Sequence, residues 1–524
     1  MQLEYKWQAS LIVALGLFMA ILDNTIVSVT LPQMLKAFHT DFETITWVVT
    51  GYFLAQAVVI PIVGYLSDRV GTKLVFLAAL TLFTIGSGLC FIAPTKELLI
   101  AFRVFQGIGG GALLPIAFAI VYRVFPPMER GLATAIIGVP MLLAPAFGPT
   151  IGGYLSTTFD WNAIFSVNLP LGIAAFMLAL FVLHGRAQER VANGKMQEDQ
   201  KRFDVLGLLL SMIGFAALVY GITEAGSHGW GSATVVPYLI GGVGALAAFV
   251  VVELLVKDPV MDVRLFLNYT FSVSNVLMWV VSAVLFGGLF LIPLFFENVQ
   301  GLSSLSTGEI LMSQGLAAAL GIALSGRLYN RVGPRILATV GLVLLAVSMI
   351  GFTHLDVGTT GLSLQIWLIV RGLGLGILQT PLQTLALSVV SNKAMARASS
   401  LVSVTRMVFG AVGVSALTTY FTQQVTSHAH NALAALHVSP LTGVAATCAA
   451  TAGRNAQVLR ACVGQQVATM GLNDTFMLIL VVCAAFAALA LFVGHDPAIE
   501  AAKRAKRATE SGEQVEERVP VMSA

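Results

Sequence analysis

Charge is what this sequence has least of. Of its 524 residues only 10% are Asp, Glu, Lys or Arg, while 57% are hydrophobic and the mean hydropathy is +0.86. A soluble globular chain carries about 25% charged residues, because its surface has to be solvated by water. So low a content excludes an ordinary water-facing surface and leaves lipid as the solvent. The net charge of +3 gives no reason to expect nucleic acid as a partner.

Other absences exclude more. There is no Gly-x-x-x-x-Gly-Lys-Ser/Thr loop and no soluble segment large enough to house one, so nucleotide hydrolysis is not expected. His428, His430 and His437 have no acidic or thiol company and make a poor metal site. There are only four cysteines. Cys90 and Cys483 fall in apolar blocks and read as packing residues. Cys448 and Cys462 share one polar outer segment, where a disulfide and two free thiols are both open.

What the chain does have is apolar length. Blocks at 10–32, 44–65, 74–93, 98–121, 132–157, 163–183, 204–223, 236–256, 270–295, 305–325, 335–353, 363–388, 398–420 and 473–494 are each near the roughly 20 residues a membrane helix needs. That predicts fourteen spans. A cleavable signal peptide is the competing reading of the first block, but Lys6 is a thin basic start, the apolar stretch is long and no small-residue cleavage site follows.

The basic residues orient these spans. With a cytoplasmic N-terminus, 22 of the 29 Lys and Arg fall on one side, among them Lys6, Arg69, Lys73, Arg123, Arg130, Lys393, Arg397 and the 186–202 and tail clusters. Lys36, Lys96, Arg454 and Arg460 fall on the other, and Arg103, Arg371 and Arg406 lie inside spans. The excess marks the cytoplasmic side, and an even number of spans puts both termini there.

The chain also echoes itself. Gly64-Tyr-Leu-Ser-Asp68-Arg69-Val-Gly71-Thr-Lys73 matches Gly326-Arg-Leu-Tyr-Asn330-Arg331-Val-Gly333-Pro-Arg335, and the run from Arg103 to Pro115 matches that from Arg371 to Pro381. Offsets of 262 and 268 positions imply two related halves of six helices with two helices left between them. The expected fold is therefore an all-α membrane protein of two six-helix bundles. The units are 1–185, the N-terminal bundle; 186–264, a cytoplasmic linker and two extra helices; 265–495, the C-terminal bundle with a long outer loop at 421–472; and 496–524, a cytoplasmic tail.

Three features carry chemistry. Asp23 lies mid-span, where a carboxylate costs about 2.5–3.5 kcal/mol by insertion scales and reads as functional by default. A helix-to-helix hydrogen bond without a transport role is the bland alternative. Arg103 must find Asp23, a carbonyl or water, or else snorkel outward. Asp68 is replaced by Asn330 in the second half, which suggests an asymmetric task such as latching the halves. In the fifth span Gly138, Pro140, Pro145, Gly148, Pro149, Gly152 and Gly153 predict a bent helix with a close-packed face.

In combination these segments resemble the major facilitator superfamily, and within it the fourteen-helix drug:proton antiporter branch typified by EmrB and QacA. The resemblance rests on Leu22-Asp23-x-Thr25-Ile26-Val27…Leu31-Pro32, on Gly64-x-Leu66-x-Asp68-Arg69-x-Gly71-x-Lys73, on Arg103-x-x-Gln106-Gly107 and on Gly148-Pro149-x-x-Gly152-Gly153, and it extends to about residue 495. It implies proton coupling through Asp23 and Arg103. It further implies a cytoplasmic gate at Gly64, Asp68, Arg69, Gly71 and Lys73, and an antiporter hinge at Gly138, Gly148, Pro149, Gly152 and Gly153. Two departures stand out. Ala163 replaces an aromatic residue common in Trp161-Asn162-Ala163-Ile164-Phe165, and the remaining acids Glu253, Glu297 and Glu309 sit toward helix ends, which weighs against dicationic substrates.

The expectation is a proton-coupled multidrug efflux antiporter of the bacterial inner (plasma) membrane, working by alternating access on hydrophobic or cationic small molecules. Phe18, Met19, Asn24, Trp47, Phe53, Gln106, Trp279 and Arg371 are candidate cavity residues. Expected partners are drugs or metabolites, protons and membrane lipids, with a periplasmic adaptor if the cell has two membranes; no catalytic residue, metal or cofactor is expected beyond the proton gradient. Two alternatives stay open: an exporter dedicated to one endogenous metabolite, lipid or antibiotic, and a non-transporting sensor or assembly subunit.

Overall fold

The computed structural model describes residues 4–40, 42–184, 204–391, 394–436, 448, 456–494, 496 and 499–500. The 186–202 linker, Lys393, His437, Arg454 and the tail after 500 lie outside the described residues. Among the described residues every regular element is helical. In chain order they are α1 (Tyr5–Ala37), α2 (Phe42–Val70), α3 (Thr72–Phe91), α4 (Lys96–Val124), α5 (Arg130–Thr158) and α6 (Ala163–Val182). There follow α7 (Val205–His228), α8 (Val236–Leu255), α9 (Tyr269–Leu294), α10 (Ser304–Val332), α11 (Pro334–Ile350), α12 (Gly361–Ser388), α13 (Met395–Leu436) and α14 (Ala456–Ala490). Thirteen are long and apolar enough to cross a membrane, and α11, the remaining one, is a 17-residue apolar helix.

These helices form because the apolar run satisfies its own backbone, which lipid demands. Large apolar side chains stay exposed on their outer faces, for example Phe181 at 76%, Leu255 at 79% and Leu362 at 84%, which is what a lipid-facing surface looks like. The sequence repeat is visible as backbone geometry. Gly71 (φ +96°) ends the connection from α2 to α3, and Gly333 (φ +91°) does the same between α10 and α11. Both sit where a side chain would strain the turn.

α1–α6 pack together as one bundle and α9–α14 as another. The bundles meet along α5 and α10, with further contact of α2 and α4 against α13. α7 and α8 pair with each other, and α7 also packs on both α2 and α13. There Tyr220 meets Trp47 (5.8 Å between ring centroids) and Trp230 Nε1 donates to Thr419 Oγ1 at 3.0 Å. The two extra helices thus lean on the seam between the bundles.

The segment 421–472 differs from the loop expected of it. α13 continues to Leu436 and α14 already starts at Ala456, so both helices extend past the apolar blocks. His428 Nε2 meets Asp474 Oδ2 at 2.7 Å across this pair of extensions, and Cys448 is disulfide-bonded to Cys462. Cys90 and Cys483 are buried free thiols.

Candidate functional site

Asp23 is the nineteenth residue of α1 and is 2% exposed, so its carboxylate has no water to share its charge. Two helices bring it donors instead. Arg103 Nη1, from α4, donates to Oδ2 at 2.6 Å, Gln106 Nε2 donates to Oδ1 at 3.0 Å, and Asn168 Nδ2, from α6, donates to Oδ1 at 2.7 Å. Ser87 of α3 closes the ring by accepting from Asn168 Nδ2 at 2.9 Å and donating to the Phe165 carbonyl at 3.0 Å. Charge-assisted bonds of this kind are the strong ones.

Arg103 is fully buried and does not snorkel. Its Nε donates to the Val48 carbonyl of α2 at 3.0 Å, Nη1 also donates to Gln106 Oε1 at 2.7 Å, and the guanidinium lies 4.2 Å from the centre of the Tyr52 ring. The face of that ring supplies electrostatic attraction where Nη2 has no hydrogen-bond partner. An acid and a base that each satisfy the other can be buried together, whereas either alone is costly.

Residues in the second half that echo this site behave differently. Arg371, the counterpart of Arg103, is 1% exposed and rests on neutral groups: Nη1 donates to Gln314 Oε1 at 2.8 Å and Nη2 to the Val284 carbonyl at 3.2 Å. Gly288 leaves the room it occupies, since a Cβ there would stand 1.8 Å from Nη2.

At the other end of α2, Asp68 Oδ2 accepts from Arg397 Nε of α13 at 3.0 Å and Oδ1 from Arg123 Nη2 at 3.4 Å. The first bond crosses between bundles. Gly64 permits it, because a Cβ there would come within 2.8 Å of the Arg397 Cα. Asn330, the counterpart of Asp68, also crosses, donating from Nδ2 to the Met128 carbonyl at 2.6 Å. Arg69 instead lies over Tyr65 of its own helix, and Lys73 donates to the carbonyls of Leu180 and Leu183 at the end of α6.

The glycines of α5 face two directions. Gly148 and Gly152 admit α1, with Thr25 Oγ1 2.1 Å and Ile26 Cγ2 3.1 Å from where their Cβ atoms would be; Gly138 and Gly153 look toward Ile322 and Leu305 of α10. Pro149 meets Gly308, and Gly315 meets Ala146. α10 therefore supplies half of the close-packed seam with glycines that the sequence reading did not single out.

The candidate cavity residues are not gathered into one place. Gln106 belongs to the Asp23 cluster and Met19 is buried in the core of the first bundle. Asn24 and Phe18 are half-buried on α1. Trp47 turns to α7, Phe53 lies edge-on to Tyr52, and Trp279 stacks on Phe409 at 4.2 Å. Asn168, Ser87 and Arg397 were missed. Asn168 carried one signal, an amide inside an apolar span.

Comparison with known proteins agrees with the geometry. The Major Facilitator Superfamily profile matches residues 13–414. A multidrug resistance protein B homolog of Mycobacterium tuberculosis (strain ATCC 25618 / H37Rv) is 35% identical over 416 residues, 78% of this chain and 74% of that one. The multidrug export protein EmrB of Haemophilus influenzae (strain ATCC 51907 / DSM 11121 / KW20 / Rd) is 31% identical over 433 residues, 82% and 83% of the two chains. The crystal structure of the human organic anion transporter MFSD10 (TETRAN) superposes with a TM-score of 0.61 over 91% of this chain and 99% of its own at 14% identity, a likeness of fold alone. The chain belongs to the Major Facilitator Superfamily and is a multi-pass transporter of the inner membrane, not an enzyme.

Proposed function

We propose that this transporter is a proton-coupled efflux antiporter for drug-like small molecules, hydrophobic or cationic in the main. The observation that carries the reading is the Asp23 cluster. It is the mid-span carboxylate of α1–α6 among the described residues, and both its oxygens are filled by donors, one of them a permanent cation. A proton arriving on Asp23 cancels the charge that Arg103 is paired with. The guanidinium is then a buried cation without a counter-ion, and the helices that hold it gain a reason to move. The names of the relatives, which speak of multidrug resistance and multidrug export, support drug-like cargo.

The Asp68–Arg397 bond supplies the second element, a latch on the side that the basic residues assign to the cytoplasm. With that side shut, cargo leaves on the opposite one. A monovalent cation moved against a membrane potential meets about 2.3 kcal/mol per 100 mV, which exchange for protons can overcome.

The test is ethidium efflux from energised cells or inverted vesicles, with internal pH followed and native protein compared to Asp23→Asn at matched expression. Efflux accompanied by proton entry, and lost in the variant, supports the reading. No flux from the native chain favours a dedicated exporter, and unchanged flux in the variant removes Asp23 from the coupling step.

A further inference from the structure

We infer that the second bundle holds a binding site for the anionic group of a substrate, formed by Arg406 of α13 with Gln379, Thr380 and Gln383 of α12. The inference rests on the export reading and extends its substrate class to amphipathic molecules that carry a carboxylate or similar anion.

Three arginines are buried in α9–α14: Arg397 is paired with Asp68, whereas Arg371 and Arg406 make no ion pair among the described residues. Arg371 is settled by neutral groups on two sides, as described above. Arg406, 7% exposed, has one neutral partner: with the Gln379 amide turned so that its oxygen faces the guanidinium, Oε1 accepts from Nη1 at 2.7 Å and Nη2 at 3.2 Å. An amide can orient the cation but cannot neutralise it, and a lone charge at membrane depth is costly.

Further buried polar atoms on α12 beside Gln379 are unfilled. Gln383 follows Gln379 by one turn on the same face of α12, is 1% exposed, and has neither amide atom hydrogen-bonded. The Thr380 hydroxyl is likewise buried without a partner. Guanidinium, amide and hydroxyl are all N–H or O–H donors, which is what a carboxylate accepts.

The cluster sits at the meeting of the bundles. Thr384, next to Gln383, shares a 2.7 Å hydrogen bond with Thr134 of α5, and α13 packs against α2 and α4. Phe409, three residues beyond Arg406 and so about one turn along α13, stacks on Trp279 of α9 and supplies an aromatic surface. A ligand with an aromatic body and an acidic group matches both.

The experiment is equilibrium binding to the full-length protein in lipid nanodiscs, read by fluorescence anisotropy. The probes are fluorescein, an aromatic carboxylate, and rhodamine 6G, a cation on the same ring system. Arg406→Gln should weaken fluorescein by about tenfold or more, the loss of a charge-assisted bond, while rhodamine 6G stays within about twofold. Arg406→Lys should keep most of the affinity, and Gln383→Leu should weaken fluorescein selectively. Native protein that fails to bind fluorescein, Arg406→Gln that binds it unchanged, or equal loss of both dyes would overturn the site. If Arg406→Gln does not fold, Gln383→Leu decides: selective loss upholds the site and no change rejects it. Binding needs no proton gradient, so a failure of ethidium efflux bears on the export reading and leaves this result standing.

Discussion

Arg103 Nη1 and Asp23 Oδ2 are 2.6 Å apart, with side-chain exposures of 0% and 1%. Two opposite charges on α4 and α1 are thereby stored in the dry interior of one bundle. Each is tolerable only while the other stays charged.

Removing one partner should cost more than removing both. Arg103→Gln and Asp23→Asn each leave a buried charge or a broken network, worth about 3–5 kcal/mol in buried pairs elsewhere. The double variant Asp23→Asn/Arg103→Gln should recover part of that. Thermal unfolding in detergent of the two single variants and the double one gives the coupling; simple additivity would show the pair to be energetically independent.

The Asp68–Arg397 latch should be reversible by charge exchange. Asp68→Asn should raise the reactivity of a cysteine placed at Ser400, which packs by Gly64, toward a maleimide applied from the Asp68 side. Asp68→Arg combined with Arg397→Asp should lower it again by restoring the attraction. Equal reactivity in all three proteins would mean that backbone packing alone shuts this side.

Gly148 should not accept even a methyl group. Its Cβ would overlap Thr25 Oγ1 at 2.1 Å and Cβ at 2.5 Å, and overpacking of this kind costs about 1–3 kcal/mol. Gly148→Ala should lower both stability and efflux, and adding Thr25→Gly should restore stability by removing the atoms in the way. Full activity of Gly148→Ala alone would show that α1 and α5 are free to separate there.

The Cys448–Cys462 disulfide predicts which thiols respond to reduction. After mild reduction, a membrane-impermeant maleimide added on the side away from Asp68 should label these two and leave buried Cys90 and Cys483 unmodified. Labelling from the Asp68 side instead would invert the orientation assigned by the basic residues.

Much of the fold could be read from the chain because it depends on local properties. Apolar length alone located the fourteen long helices, thirteen of them long enough to span a membrane, and the recurrence of Gly71 as Gly333 announced a shared turn that the backbone adopts at φ +96° and +91°. Asp23 and Arg103 were legible as expensive residues in apolar surroundings. The polar ends of α13 and α14 look like loop in sequence, because a helix that extends into water carries no membrane signal in its composition.

By itself, then, the sequence determined that the chain is a series of long apolar helices with an internal repeat, and which few charges lie within them. Only the tertiary structure decided whom those charges meet. Asp23 is bound by residues 80, 83 and 145 positions away, and Asp68 by one 329 positions away. The same packing left Arg406 against the Gln379 amide, with no ion pair among the described residues. Hydrophobicity sums along a segment and needs no partner, whereas a hydrogen bond forms at a distance set by how separate helices pack, and no local pattern encodes that distance.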